Sequence, residues 1–144
     1  MNCATDFDLD TATKLLPLPD DASSPLILLV EDDPVIQKVH RLMLEKIGYT
    51  VDIASNGPQA LAMLDKKYSA ILMDVGLPDI SGIEITTEIR RLEGSKKHVP
   101  IIALTAYVCE ETKWECLAAG ADEVATKPIK IEALATILRR WASK

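Results

Sequence analysis

Ala70-Ile71-Leu72-Met73-Asp74-Val75-Gly76-Leu77-Pro78-Asp79 is the stretch that decides the fold. An apolar run of strand length ends on one carboxylate, and Gly76 and Pro78 then break the regular backbone. An unbroken apolar run marks a strand covered on both faces, as in the parallel sheet of an α/β protein. In an open sheet of that kind the carboxyl ends of the strands face the crevice where ligands bind. Asp74 is thereby delivered to solution with a dry core behind it, which suits a nucleophile. A lone Asp in this position is as often a simple strand end, so the reading depends on what else the chain brings to the same edge.

Working outward, short apolar runs alternate with amphipathic segments from Pro25 onward. Strands are expected at 26–30, 50–54, 70–73, 100–104 and 123–126, and helices at 34–47, 58–66, 82–92, 109–119 and 131–141. Punctuation supports the helix ends. Asp33-Pro34 reads as N-cap followed by N1, Gly57-Pro58 repeats that pattern, and Ser81-Gly82-Ile83-Glu84 is a capping box. Gly48 and Gly120 stop two helices. Five strands alternating with five helices predict an α/β sheet with right-handed crossovers. Residues 1–24, with five Asp, two Pro and no periodic apolar pattern, read as a flexible arm or linker. Residues 25–144 form the domain.

The chain has 144 residues, 48% hydrophobic and 26% charged, with 4% aromatic. That composition predicts a globular domain with an aliphatic core. A net charge of −6 argues against nucleic acid as a direct partner, since binding phosphate backbones needs a basic surface. No apolar run approaches membrane-spanning length, and no secretory leader is visible. Three cysteines, Cys3, Cys109 and Cys116, make no disulfide framework. Cys109 and Cys116 lie roughly 10 Å apart along one expected helix, too far for a bridge. A reducing, cytoplasmic setting fits best.

Four strand ends carry the chemistry-bearing residues: Glu31-Asp32-Asp33, Asp74, Thr105-Ala106 and Lys127-Pro128. Parallel strands all end on one edge, so these groups converge. Three acids, Asp32, Asp33 and Asp74, repel one another unless a cation lies among them, and hard oxygen ligands with room for water suit Mg²⁺. Asp32 and Asp33 could otherwise serve only as caps, although two adjacent acids after a buried strand exceed that need. A phosphoryl group arriving at Asp74 would need the metal on one side and a cation plus a hydroxyl donor on the other. Lys127 supplies the charge and Thr105 the hydroxyl.

These motifs together resemble the receiver (response-regulator) family, over Pro25 to Trp141. The resemblance implies a doubly wound (βα)₅ sheet of flavodoxin-like order 2-1-3-4-5. It implies Asp74 as phosphoacceptor, Mg²⁺ held by Asp32, Asp33, Asp74 and the Gly76 carbonyl, Thr105 as switch hydroxyl and Lys127 as phosphate partner. A cis Lys127–Pro128 bond is also usual in such proteins. Val124 stands where the family often carries an aromatic ring, so the usual ring movement has no counterpart here. Neither Gly76 nor Tyr107 offers an acid or amide to orient water, which predicts slow autodephosphorylation with Tyr107 as a shield.

The same resemblance implies a phosphohistidine donor on a sensor kinase or a histidine phosphotransfer domain, and the wording is similar to receivers of hybrid sensor histidine kinases. A parent kinase could be anchored in the inner membrane, with no membrane contact by this domain. A docking patch is expected from Val35, Ile36 and Val39 with Ile129, although Val39 reads as core. The fourth and fifth helices with the strand between them would offer a weak dimer face. No nucleotide-binding Gly-rich loop is present. A stand-alone response regulator is the alternative. From a different class, a haloacid-dehalogenase-like phosphohydrolase would share the Asp and Mg²⁺, but its Asp-x-Asp-x-Thr motif is missing.

Overall fold

The computed structural model describes residues 25–76, 81–94, 98–106 and 109–142. The leading arm, Pro78, Asp79 and Tyr107 lie outside them. Ten elements alternate: β1 (Leu26–Val30), α1 (Pro34–Ile47), β2 (Thr50–Ala54), α2 (Gly57–Ala62), β3 (Ala70–Asp74), α3 (Gly82–Glu93), β4 (Ile101–Thr105), α4 (Glu110–Ala119), β5 (Glu123–Thr126) and α5 (Ile131–Ala142). All pairings are parallel, in the order β2-β1-β3-β4-β5. The expected (βα)₅ architecture and strand order are those observed.

The period-two alternation of the strands sorts their side chains into two layers. Ile27, Leu29, Ala70, Leu72, Ile102 and Leu104 pack with Leu44 of α1 and with Leu134, Ile137 and Leu138 of α5. Leu28, Val30, Ile71, Met73, Ile101 and Ala103 pack with Ala60 of α2, Ile85 and Ile89 of α3 and Cys116 of α4. Both faces of the sheet are therefore dry. That is why β1, β3 and β4 read as continuous apolar runs.

Local chemistry fixes the ends. Asp33 Oδ1 accepts from the amides of Val35, at 2.8 Å, and Ile36, while Gly48, at φ 117°, closes α1 in a left-handed conformation that a side chain would strain. At α2 the cap is Asn56 rather than Gly57, its Oδ1 accepting from Gln59 N at 2.8 Å. That helix ends at Ala62, short of the expected Lys66. Beyond it Met63 and Leu64 still pack on the core, but their amides donate three residues back, to the Ala60 and Leu61 carbonyls. Lys66 reaches across to Asp52 at 2.9 Å, beside the Tyr68 hydroxyl on the same carboxylate. Cys109 and Cys116 are free thiols. Among the described residues no helix is long and apolar enough to cross a membrane.

Candidate functional site

Register builds the site. Val30 pairs with Met73, so the residues that follow, Glu31 and Asp74, leave the sheet side by side. Thr105 pairs with Thr126, and the Lys127 amide then donates to the Thr105 carbonyl at 2.8 Å. Parity does the rest. Glu31 continues the Ile27, Leu29 set and Asp74 the Ala70, Leu72 set, so both emerge over the layer covered by α1 and α5. Glu31 is 1% exposed and Asp74 5%. Gly82 closes the site from the other layer. A Cβ there would lie 2.3 Å from the Asp74 carbonyl oxygen, so only glycine lets α3 start this close to the Asp74 backbone.

Lys127 Nζ stands 3.2 Å from Asp74 Oδ1 and 3.2 Å from Glu31 Oε1, and the Lys127–Pro128 peptide is cis. The Gly76 amide donates to the same Asp74 oxygen at 3.1 Å. Burial and then repulsion by Asp74 raise the Glu31 carboxyl above its usual range, against the pull of Lys127. Burial disfavours the Lys127 ammonium, but Asp74 and Glu31 outweigh it and hold the lysine above its ordinary value. A cleft of about 490 Å³ opens over this cluster. Asp32, Asp33, Ile36, Gly76, Thr105 and Ala106 are among the other residues that line it, and Thr105 is 7% exposed.

Among the described residues, the acids whose oxygens come together closely enough to share an ion are Glu31, Asp32 and Asp74, within 4.8 Å of one another. The expected trio was Asp32, Asp33 and Asp74, and the geometry groups Glu31 with Asp32 and Asp74 instead. Asp33 lines the cleft, but its carboxylate is turned to the start of α1 as the helix cap. The residue missed in the sequence is Glu31. Three consecutive acids concealed which two face the pocket, and the signal was parity, since 31 follows 27 and 29 onto the Asp74 side. With Lys127 as the one cation among these four side chains, the cluster carries two net negative charges. Oxygen donors, an exposed Asp32 open to water and a charge deficit of two fit a hard divalent ion.

An open parallel sheet with an acid cluster and a lysine at its carboxyl edge defines a receiver. The family model for the response regulator receiver domain matches residues 27–139, and the chain belongs to that family. It is 38% identical over 116 residues to the aerobic respiration control sensor protein ArcB of Escherichia coli (strain K12), covering 80% of this chain and 15% of ArcB. It is 36% identical over 125 residues to hybrid signal transduction histidine kinase I of Dictyostelium discoideum, covering 82% of this chain and 7% of that protein. The chain thus spans a small part of these relatives and is homologous to the receivers of hybrid histidine kinases.

Among solved structures, the receiver domain of a Pseudomonas aeruginosa sensor histidine kinase, with a magnesium ion coordinated in its active site cleft, is 41% identical. The match has a TM-score of 0.76 and covers 85% of this chain and all of that one. A Saccharomyces cerevisiae co-crystal of the histidine phosphotransfer protein Ypd1 with the receiver domain of the response regulator Ssk1 matches at 31% identity and TM-score 0.75, covering 83% and 89%.

Proposed function

We propose that residues 25–144, carried behind the 1–24 arm, accept a phosphoryl group on Asp74 from a partner phosphohistidine, as the receiver of a hybrid sensor histidine kinase working at the cytoplasmic side. The observation that carries this reading is the meeting of Asp74, Glu31, Asp32 and Lys127 in one cleft. Among the described residues the hydrogen bonds to Asp74 go to Oδ1, which leaves Oδ2 as the attacking oxygen. As the new O–P bond forms, the P–N bond of the phosphohistidine breaks. Its electron pair returns to the imidazole, which takes up a proton.

Glu31, Asp32 and Asp74 with the Gly76 carbonyl would hold Mg²⁺, which when bound neutralises charge on the phosphoryl oxygens. Lys127 and Thr105 receive the outer oxygens on the opposite side. With no acid or amide at Gly76 or Tyr107 to orient an attacking water, the aspartyl phosphate is long-lived.

The donor or acceptor domain would dock along α1, where Val35, Val39 and Leu42 are 69%, 46% and 56% exposed. Their i, i+4, i+7 spacing makes one stripe that starts at the rim of the cleft. Val39 belongs to this stripe and not to the core. Ile129, 7% exposed, does not. The face made by α4, β5 and α5 would support a weak dimer, with Leu117 exposed on α4. The test is incubation with acetyl phosphate and Mg²⁺ followed by intact mass. Addition of one phosphoryl group to the chain, and none to Asp74→Asn, supports the reading, whereas equal labelling of both defeats it.

A further inference from the structure

Glu31 is anchored through each of its polar groups. Its amide donates to the Ala54 carbonyl at 3.0 Å, Oε1 accepts from Lys127 at 3.2 Å and Oε2 from the Asp33 amide at 3.4 Å. Its carbonyl oxygen accepts the shortest of these bonds, 2.6 Å from Gln37 Nε2. The same nitrogen of Gln37 donates to Ser55 Oγ at 3.2 Å, and the Ser55 amide is in turn held by Gln59 Oε1 at 2.7 Å. The half-buried Gln37 amide thus ties the end of β1 to the end of β2 from a position on α1.

The carbonyl it grips belongs to the peptide that joins Glu31 to Asp32. Rotation of that peptide is what would carry the Asp32 carboxylate toward or away from Asp74. Asp32 is exposed, so its placement depends on the backbone beneath it more than on packing around its side chain. A metal site tolerates displacements of only about 0.5 Å in its ligands.

We propose that Gln37 is a positioning residue for the cation site: by clamping the Glu31–Asp32 peptide it presets the spacing of the acid pair against Asp74. This rests on the reading of the cleft as an Mg²⁺ site. Losing the clamp leaves every ligand in place but spreads their positions, so affinity falls where stability need not. Groups that orient metal ligands are typically worth 10-fold or more in affinity.

The test uses the full 144-residue chain and no phosphodonor. Mg²⁺ is titrated while the backbone amide signals of Val75 and Gly76 are followed by NMR, and thermal unfolding is measured without metal. Gln37→Met keeps the length and apolar bulk of the side chain and removes both donated bonds. The expected result is a dissociation constant raised about tenfold, with Ser55→Ala, which spares the bond to Glu31, close to the parent protein. If Gln37→Met does not fold, Gln37→Ala gives the same reading with a better helix former.

A parent protein that binds Mg²⁺ and a Gln37 variant that binds it equally well, even with a lowered melting temperature, would overturn the positioning role and leave the metal site standing. A parent protein whose amides do not respond to Mg²⁺ would overturn both.

Discussion

Lys127 Nζ lies 3.2 Å from Asp74 Oδ1 and is shared with Glu31 at the same distance. One ammonium therefore serves two buried carboxylates, and the deficit is built into the fold. Asp74→Asn removes one of those charges, so it should raise stability by about 1 kcal/mol. Lys127→Met removes the ammonium that pairs with both acids and should lower it by about 3 kcal/mol. Because the Glu31 carboxyl is raised, the folded protein takes up that proton before the unfolded chain does. Stability is therefore regained as pH falls through the Glu31 folded pKa, and the Lys127→Met deficit should narrow there. Chemical unfolding at pH 7 and in mild acid measures all three.

Asp32 and Asp33 are neighbours with separate duties. Asp33→Ala should lower stability by about 1 kcal/mol through loss of the α1 cap while the amide response to Mg²⁺ persists. Asp32→Ala should do the reverse, leaving the unfolding midpoint in place and weakening the Mg²⁺ response. Paired unfolding and metal titrations on the two variants separate them.

Gly82 is where α3 meets the Asp74 backbone. An added Cβ would meet the Asp74 carbonyl oxygen at 2.3 Å and Val75 Cα at 2.9 Å, and backbone atoms cannot swing aside as a side chain can. Gly82→Ala should destabilise by about 2 kcal/mol and shift Asp74 away from Lys127. Thermal unfolding together with the Gly76 amide shift checks both effects.

His40 is 3% exposed on α1, in the layer beneath the acid pair, and its Nδ1 has no partner among the described residues. Burial, with the Lys127 charge acting in the same sense, lowers its pKa and outweighs the opposing field of Asp74. The unfolded chain then binds a proton that the folded protein refuses. Stability should fall as pH drops below about 6.5, by at most about 1.4 kcal/mol per pH unit, and level off below the folded pKa. His40→Leu should remove that contribution, which an unfolding series across this range records.

The sheet was legible because aliphatic runs covered on both faces need no context to be read. Asp74, Thr105 and Lys127 were legible as strand-end residues, since a parallel sheet leaves one edge for them to share. The Glu31, Asp32 and Asp33 run was not resolved by composition. Which acid faces the pocket is set by strand parity, and which one caps α1 is set by the distance to the Val35 amide. Val39 and Ile129 exchanged expected places: on amphipathic α1 the sequence shows the period of Val39 but not its neighbours, and Ile129 lies in the connection between β5 and α5, where no period marks it as buried. The end of α2 was not legible because Met63 and Leu64 continue the apolar pattern past Ala62 while their amides turn to carbonyls three residues back.

The most direct measurement is borohydride reduction of protein treated with acetyl phosphate and Mg²⁺, followed by peptide mass spectrometry. Reduction converts an aspartyl phosphate to homoserine and leaves a free carboxylate alone. Homoserine at position 74, dependent on Mg²⁺ and abolished in Lys127→Met, is the predicted result. Homoserine at Asp32 or Asp33 in place of Asp74, or none anywhere under conditions that label a control receiver, would contradict it.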